Sequence, residues 1–107
     1  MPCTTINMTD RVKATQEQAL ERLRKALATG TASVVVGPNG GVAFRGWPGE
    51  RGMLFDLCAY RKLLASNSPE LRRALAKAEA MSGQRVNQAT IAAGVHSHDG
   101  GQTWGKG

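Results

Sequence analysis

The pattern of apolar and polar residues along the chain is helical on both sides of one stretch that has the pattern of β-structure. Residues 33–36 (SVVV) are mostly β-branched, and residues 42–45 (VAFR) alternate as a half-buried strand does. Residues 37–41 (GPNGG) join them, with Pro38 suited to the first turn position and Gly40 or its neighbour free to adopt positive φ. The pattern predicts an antiparallel β-hairpin, closed by a type I turn with a glycine bulge.

An amphipathic helix is predicted before the hairpin. Leu20, Leu23 and Leu27 follow the i, i+3, i+7 spacing of one helical face. Thr15, with a glutamine three residues later, forms a capping box that places the start of the helix at Thr15. Gly30 suits the left-handed position just beyond the last turn.

Two or three shorter helices are predicted after the hairpin. Residues 53–65 place apolar side chains on one helical face, and residues 69–81 do the same after a capping serine, Ser68. Asn87 is expected to cap a short fourth helix, which Gly94 ends.

These elements predict a single α+β domain over residues 15–95: an N-terminal helix, a central antiparallel β-hairpin, and two to three C-terminal helices packed on one face. Residues 1–14 are expected to be weakly ordered, or to add an edge strand at Thr4–Met8. Residues 96–107 are Gly-rich and polar, and are predicted to form a flexible tail. An isolated hairpin is marginally stable, so an added strand, helix cover or a homodimer is expected to complete it.

The composition is that of a small basic protein. The 107 residues include 14 Lys or Arg and 8 Asp or Glu, which gives a formal net charge of +6. Such an excess favours nucleic acid or an acidic protein surface as the partner. Cys3 and Cys58 are too few for a disulfide framework, and reduced thiols in the cytoplasm are expected. No apolar run approaches the roughly 20 residues that cross a membrane, and the first residues lack a signal-peptide pattern.

The C-terminal stretch 97–104 (SHDGGQTW) has the spacing S-x-D-x-G-x-T-W. It resembles the Asp-box of sialidase-like β-propellers, in which the motif is a structural hairpin turn that recurs on several blades and lies outside the catalytic site. This chain has one copy and is too short for a propeller. The resemblance therefore implies a local turn that tucks Trp104 against the domain, and it implies no sialidase activity. Whether the tail is ordered stays open at this point.

Three further patterns resemble functional motifs, and each lacks a necessary part. Residues 100–106 match the first part of a P-loop, but no Ser or Thr follows the lysine and no helix follows to bind phosphate. His96, His98 and Asp99 are potential metal ligands without an assured further ligand, so no metal is expected. The third and fourth helices resemble a helix-turn-helix, but helix-breaking residues occupy the place of the recognition helix.

Catalytic residues are not expected. A nucleophilic enzyme needs a base within hydrogen-bond reach of an activated Ser or Cys, and the sequence suggests no such pair. Cys58 lies on an apolar helix face, where a buried small hydrophobic residue is the expected role. A non-enzymatic protein without a cofactor is predicted.

The unbalanced basic residues are the candidate binding site. Together with one aromatic residue that could stack on bases, its expected members are Arg45, Trp47, Arg51, Arg61, Lys62, Arg72, Arg73 and Lys77. The last three are expected on one solvent-facing side of the third helix. The leading hypothesis is an accessory or regulatory protein that associates with nucleic acid through phosphate contacts. The alternative is a small phage-type inhibitor or adaptor that binds a host protein by protein–protein contact.

Overall fold

A computed structural model describes residues 10–47 and 56–106 of the chain. In chain order the elements are α1 (Asp10–Thr29), β1 (Ser33–Val36), β2 (Val42–Arg45), α2 (Asp56–Ala65), α3 (Pro69–Ser82), α4 (Gln88–Ala92), β3 (Val95–His96) and β4 (Gly105–Lys106). The predicted α+β architecture is confirmed: an N-terminal helix, an antiparallel hairpin, and helices packed against that hairpin.

The central hairpin has the predicted pairing and turn. β1 and β2 are antiparallel, with Val34 opposite Phe44 and Val36 opposite Val42. In the turn the Gly40 N–H donates to the Gly37 carbonyl at 2.9 Å, and Gly40 has a φ of 81°. These are the bond and the left-handed residue of a type I turn with a glycine bulge.

The helices cover one face of this hairpin and build the core there. α3 packs against β1, α2 packs against β2, and α1 packs against both α3 and β1. Fully or nearly fully buried side chains in this layer are Leu23, Val42, Phe44, Tyr60, Leu63 and Leu71. Cys58 is buried among them, as the sequence predicts. The core is therefore mainly aliphatic, with Phe44, Trp47 and Tyr60 as its large aromatic members.

The capping signals of the later helices are confirmed. Ser68 precedes Pro69 at the start of α3, and its hydroxyl accepts a hydrogen bond from the Leu71 N–H. Asn87 caps α4 by accepting from two backbone N–H groups of its first turn. Gly83, beyond α3, has a φ of 73° and donates its N–H to the Glu79 carbonyl.

The first helix starts earlier than the sequence suggests. Thr15 lies inside α1, which begins at Asp10, so the predicted capping box at Thr15 is not the start of the helix. A helix continues N-terminal to a capping signal when the preceding residues have no breaker, and residues 10–14 contain neither Gly nor Pro. The predictions for Thr4–Met8 and for residues 53–55 fall outside the described residues.

The C-terminal residues form a second hairpin where a flexible tail is predicted. β3 and β4 pair in antiparallel fashion, with Val95 opposite Lys106 and His96 opposite Gly105. The turn between them lies over the hairpin face that the helices leave open. There the Trp104 ring lies so close to Gly37 that a Cβ added to that glycine would lie 2.6 Å from it. The structure differs from the predicted flexible tail because contacts with the central hairpin order this segment, although its composition alone is typical of a loop.

The fit between the central turn and α4 gives a first prediction. A Cβ at Gly40 would lie 2.4 Å from the Asn87 Cβ, and Gly40 also has positive φ. Gly40→Ala is therefore expected to lower the free energy of unfolding by roughly 2–3 kcal/mol, from left-handed strain and overpacking together. Gly30→Ala is the matched control, since Gly30 has a φ of 84° but no atom within 4 Å of an added Cβ. Equal losses for the two variants in urea denaturation would contradict the prediction.

Candidate binding groove

A groove runs along β1 between this strand and two helices. It encloses about 530 Å³. The C-terminal part of α1, all four residues of β1 and one side of α3 line it. A groove that touches four consecutive strand residues lies along the edge of the strand, because successive side chains of a strand point to opposite faces.

The floor of the groove is largely apolar. Its apolar lining residues include Leu27, Ala32, Val34, Ala74, Ala78 and Met81. Met81 is 77% exposed, although most of the other large apolar side chains are in the core. Apolar surface of this kind, bordered by charges, is typical of a protein- or ligand-binding site.

Three of the predicted basic residues border this floor. Arg45 reaches the groove from β2, and Arg73 and Lys77 reach it from α3. Within the described part of the chain, these three side chains have no hydrogen bond or ion pair. Glu70 also lines the groove, but its carboxylate accepts from Arg24 Nε at 3.2 Å. The border of the groove is therefore positively charged.

The backbone of β1 is open on the groove side. Hydrogen-bonded and non-hydrogen-bonded pairs alternate along an antiparallel ladder. The Phe44 N–H does not bond to β1 but donates to Asp56 Oδ2 at 3.0 Å, so Val34–Phe44 is a non-hydrogen-bonded pair. Val36–Val42, two residues along, is the same kind of pair. The N–H and C=O groups of Val34 and Val36 thus point away from β2, and nothing in the described chain bonds to them.

The other predicted site residues lie elsewhere. Arg72 is not on the side of α3 that bears the two groove cations, and it donates to Asn67 Oδ1 at 2.7 Å. Arg61 donates to the Ile91 carbonyl at 2.6 Å, which ties α2 to α4. Lys62 is half-buried near the end of α2 and lines no part of the groove. Arg51 falls outside the described residues.

Trp47 is not available to stack on a base. It is only 6% exposed, and its ring packs edge-on against Phe44 with 6.0 Å between the ring centroids. An aromatic residue directly after a strand can turn into the core as readily as outward, and nothing in the local sequence distinguishes the two. The expectation of an exposed stacking residue at position 47 is therefore corrected.

Several acidic side chains of the described residues bond within the fold. Glu21 and Glu70 both accept from Arg24. Glu79 accepts from the Val86 N–H at 3.0 Å and fixes the segment that leads into α4. Buried Asp56 accepts from the backbone of β2. Of these four carboxylates only that of Glu70 lines the groove, where it is outnumbered by Arg45, Arg73 and Lys77.

The Asp-box-like stretch has a structural geometry. The Ser97 hydroxyl donates to Asp99 Oδ1 at 2.8 Å, and the Thr103 N–H donates to the same oxygen at 2.9 Å. Thr103 also donates its hydroxyl to the other carboxylate oxygen. Hydrogen bonds from Thr103, and then from Ser97, hold the pKa of Asp99 well below its usual range. The motif thus closes the turn that carries Trp104.

The described residues contain neither a cluster of three potential metal ligands nor a helix that could span a membrane. His96 and His98 stack edge to face with 4.7 Å between the ring centroids, and His96 Nδ1 lies 2.8 Å from the Gly94 carbonyl oxygen. Across residues 10–47 and 56–106, no three His, Cys, Asp or Glu side chains converge on a common point. Over the same residues, every helix is too short or too polar to cross a membrane.

Sequence reasoning identified the groove cations but missed the open strand edge. Arg73 and Lys77 could be predicted to lie together, because they are four residues apart on a predicted helix. The sequence did contain an indication of this edge. A predicted two-stranded hairpin has two unpaired edges, and each must be covered by other elements, protected by charged residues or paired with another strand.

Comparison of the chain with family models, with curated proteins and with solved structures finds no match.

Proposed function

We propose that this protein is a non-enzymatic binding module, of the inhibitor or adaptor type, that holds an acidic segment of a partner protein in the groove. The observation that carries the proposal is the apolar floor bordered by Arg45, Arg73 and Lys77. Apolar surface in the centre and charge at the rim is the usual arrangement of a protein–protein interface. The cations select an acidic partner and raise the association rate, and the floor supplies affinity.

Nucleic acid is the second candidate, and the net charge of +6 is what favours it. Sequence-independent binding of a single strand combines a basic track with exposed aromatic rings. Phe44 and Trp47 are both buried, and Arg61 and Arg72 are engaged within the chain. A phosphate backbone would also leave the apolar floor unused. The arrangement therefore favours a protein partner.

The prediction from this proposal is that charge in the groove decides binding. A short, labelled peptide of alternating glutamate and valine is expected to bind the wild-type protein, and a lysine–valine peptide is not. The triple variant Arg45→Ala, Arg73→Ala, Lys77→Ala is expected to bind the acidic peptide roughly 3- to 150-fold more weakly, since each of the three ion pairs contributes roughly 0.2–1 kcal/mol. Fluorescence anisotropy titration measures both affinities.

The matched control removes three charges outside the groove. Lys25, Arg72 and Arg85 are exposed and line no part of it, so their joint replacement by alanine is expected to change the affinity less than about twofold, by screened long-range attraction alone. Equal losses in the two triple variants would contradict a groove site. Tight, steeply salt-dependent binding of a DNA or RNA oligonucleotide, without binding of the acidic peptide, would favour the nucleic-acid function instead.

A further inference from the structure

We propose that the groove takes its ligand as an added β-strand: an extended acidic segment of a partner protein pairs with the open edge of β1 through the backbone of Val34 and Val36. This inference rests on the proposed function and specifies the conformation of the ligand. Strand addition to an exposed sheet edge is a general mode of peptide recognition, in which main-chain bonds give affinity and side-chain pockets give specificity.

The first argument is the hydrogen-bonding capacity of the edge. Two N–H groups and two C=O groups, those of Val34 and Val36, face away from β2 and into the groove. The opposite edge of the hairpin is partly closed, because Asp56 accepts from the Phe44 N–H. The sheet therefore offers one open edge beside a groove, and these groups can bond an extended backbone at alternate residues.

The second argument is the position of the cations about that edge. Arg45 pairs with Ser33 and belongs to the sheet face opposite the helices, whereas Arg73 and Lys77 approach from α3. A strand laid along β1 would therefore have positive charge on both of its faces. Since the side chains of a strand alternate between faces, a carboxylate on one face would meet Arg45 and a carboxylate on the other would meet Arg73 and Lys77. Apolar side chains that point toward α3 meet the floor formed by Ala74 and Ala78.

The same charges argue against two other occupants. A second copy pairing β1 with β1 would bring two sets of Arg45, Arg73 and Lys77 together, and like charges at close range oppose association. Residues 1–9 of this chain contain no Asp or Glu, so they offer nothing to the three cations. An acidic segment from another protein is the occupant whose charge complements the groove.

Hydrogen exchange at single residues tests strand addition directly. The full-length, ¹⁵N-labelled protein is examined by NMR, free and saturated with the glutamate–valine peptide. The Val34 and Val36 amide protons are expected to exchange at least tenfold more slowly in the complex, because they acquire carbonyl acceptors. Val35, whose pairing with Ala43 already uses its N–H, is the internal control and is expected to change little.

A backbone-modified ligand separates strand pairing from charge attraction. Two peptides with the same glutamate–valine sequence carry N-methyl groups on alternate amides, one in each register. Both retain every carboxylate and every side chain, but each lacks the N–H groups on one edge. One of them is expected to bind about tenfold more weakly than the unmodified peptide, since each lost hydrogen bond costs roughly 0.5–1.5 kcal/mol, and the other is expected to bind nearly as well.

The outcomes distinguish this inference from the function on which it rests. Peptide binding that depends on Arg45, Arg73 and Lys77, with no protection of Val34 and Val36, would overturn strand addition and leave the acidic-partner function standing. Failure of the peptide to bind at all would overturn both. Protection already present in the free protein, and lost when residues 1–9 are deleted or when the protein is diluted, would assign the edge to the chain's own N-terminal segment or to a second copy.

Discussion

Replacement of Trp104 by alanine is expected to lower the free energy of unfolding by roughly 2–4 kcal/mol, somewhat less than the roughly 3–5 kcal/mol of a fully buried aromatic residue, because Trp104 is half-buried. The indole covers the hairpin face opposite the helices. A Cβ added to Gly37 or to Gly41 would lie 2.6 Å from its ring carbons, so the ring sits directly on the backbone at these two glycines. Its loss would expose that face to water and leave the C-terminal hairpin without its anchor.

Chemical denaturation of Trp104→Ala, followed by circular dichroism, measures this loss. Gln102→Ala is the control, because Gln102 is exposed in the same turn, and a change within about 0.5 kcal/mol is expected for it. Truncation after Val95 removes the same cover together with the Asp99 turn, and is expected to destabilise the domain at least as much as Trp104→Ala. A truncated chain as stable as the full one would restore the flexible tail that composition predicts.

The central hairpin could be predicted because the residues that determine it are adjacent in the sequence. Pro38 and the adjacent glycines fix the turn, and the alternation of apolar residues fixes which side chains face the core. The caps of α3 and α4 were predictable for the same reason, since Ser68 and Asn87 act on backbone groups within three residues of themselves. Each of these features needs no contact with a distant part of the chain.

Features that depend on distant contacts were not predictable. The order of the C-terminal turn depends on Trp104 finding the glycines at positions 37 and 41, which no pattern within residues 96–107 indicates. The burial of Trp47 likewise depends on the space that surrounding elements leave beside Phe44. Local composition was informative only where local bonds decide the conformation.

The groove depends both on local sequence patterns and on contacts between distant parts of the chain. Arg73 and Lys77 share a helix side that spacing alone identifies, but their meeting with Arg45 requires β2 and α3 to approach the same end of β1. The third helical candidate, Arg72, is adjacent in sequence and yet lies apart, because successive residues of a helix are separated by about 100°. The sequence therefore predicts a set of basic residues, and only the fold shows which of them line the groove.

The second large effect is expected at Asp56, the acidic residue at the start of α2. Asp56→Ala is expected to lower the free energy of unfolding by about 2–3 kcal/mol. Asp56 is buried, and its Oδ2 is the acceptor for the Phe44 N–H at 3.0 Å. Removal of the carboxylate leaves that N–H buried without a partner, which costs about 1–3 kcal/mol, and also removes a favourable charge at the helix N-terminus, worth about 0.3–1 kcal/mol.

Two variants separate these contributions, with urea denaturation as the measurement. Asp56→Asn keeps an oxygen that can accept from Phe44 but loses the charge, so its expected loss is about half that of Asp56→Ala. Glu17→Ala removes an exposed acid, and is expected to stay within about 0.5 kcal/mol of the wild type. In Asp56→Ala the Phe44 amide should also exchange faster, because the bond that closes the β2 edge is gone. Unchanged exchange at Phe44, with stability equal to that of Glu17→Ala, would show that the Asp56 carboxylate does not close the β2 edge.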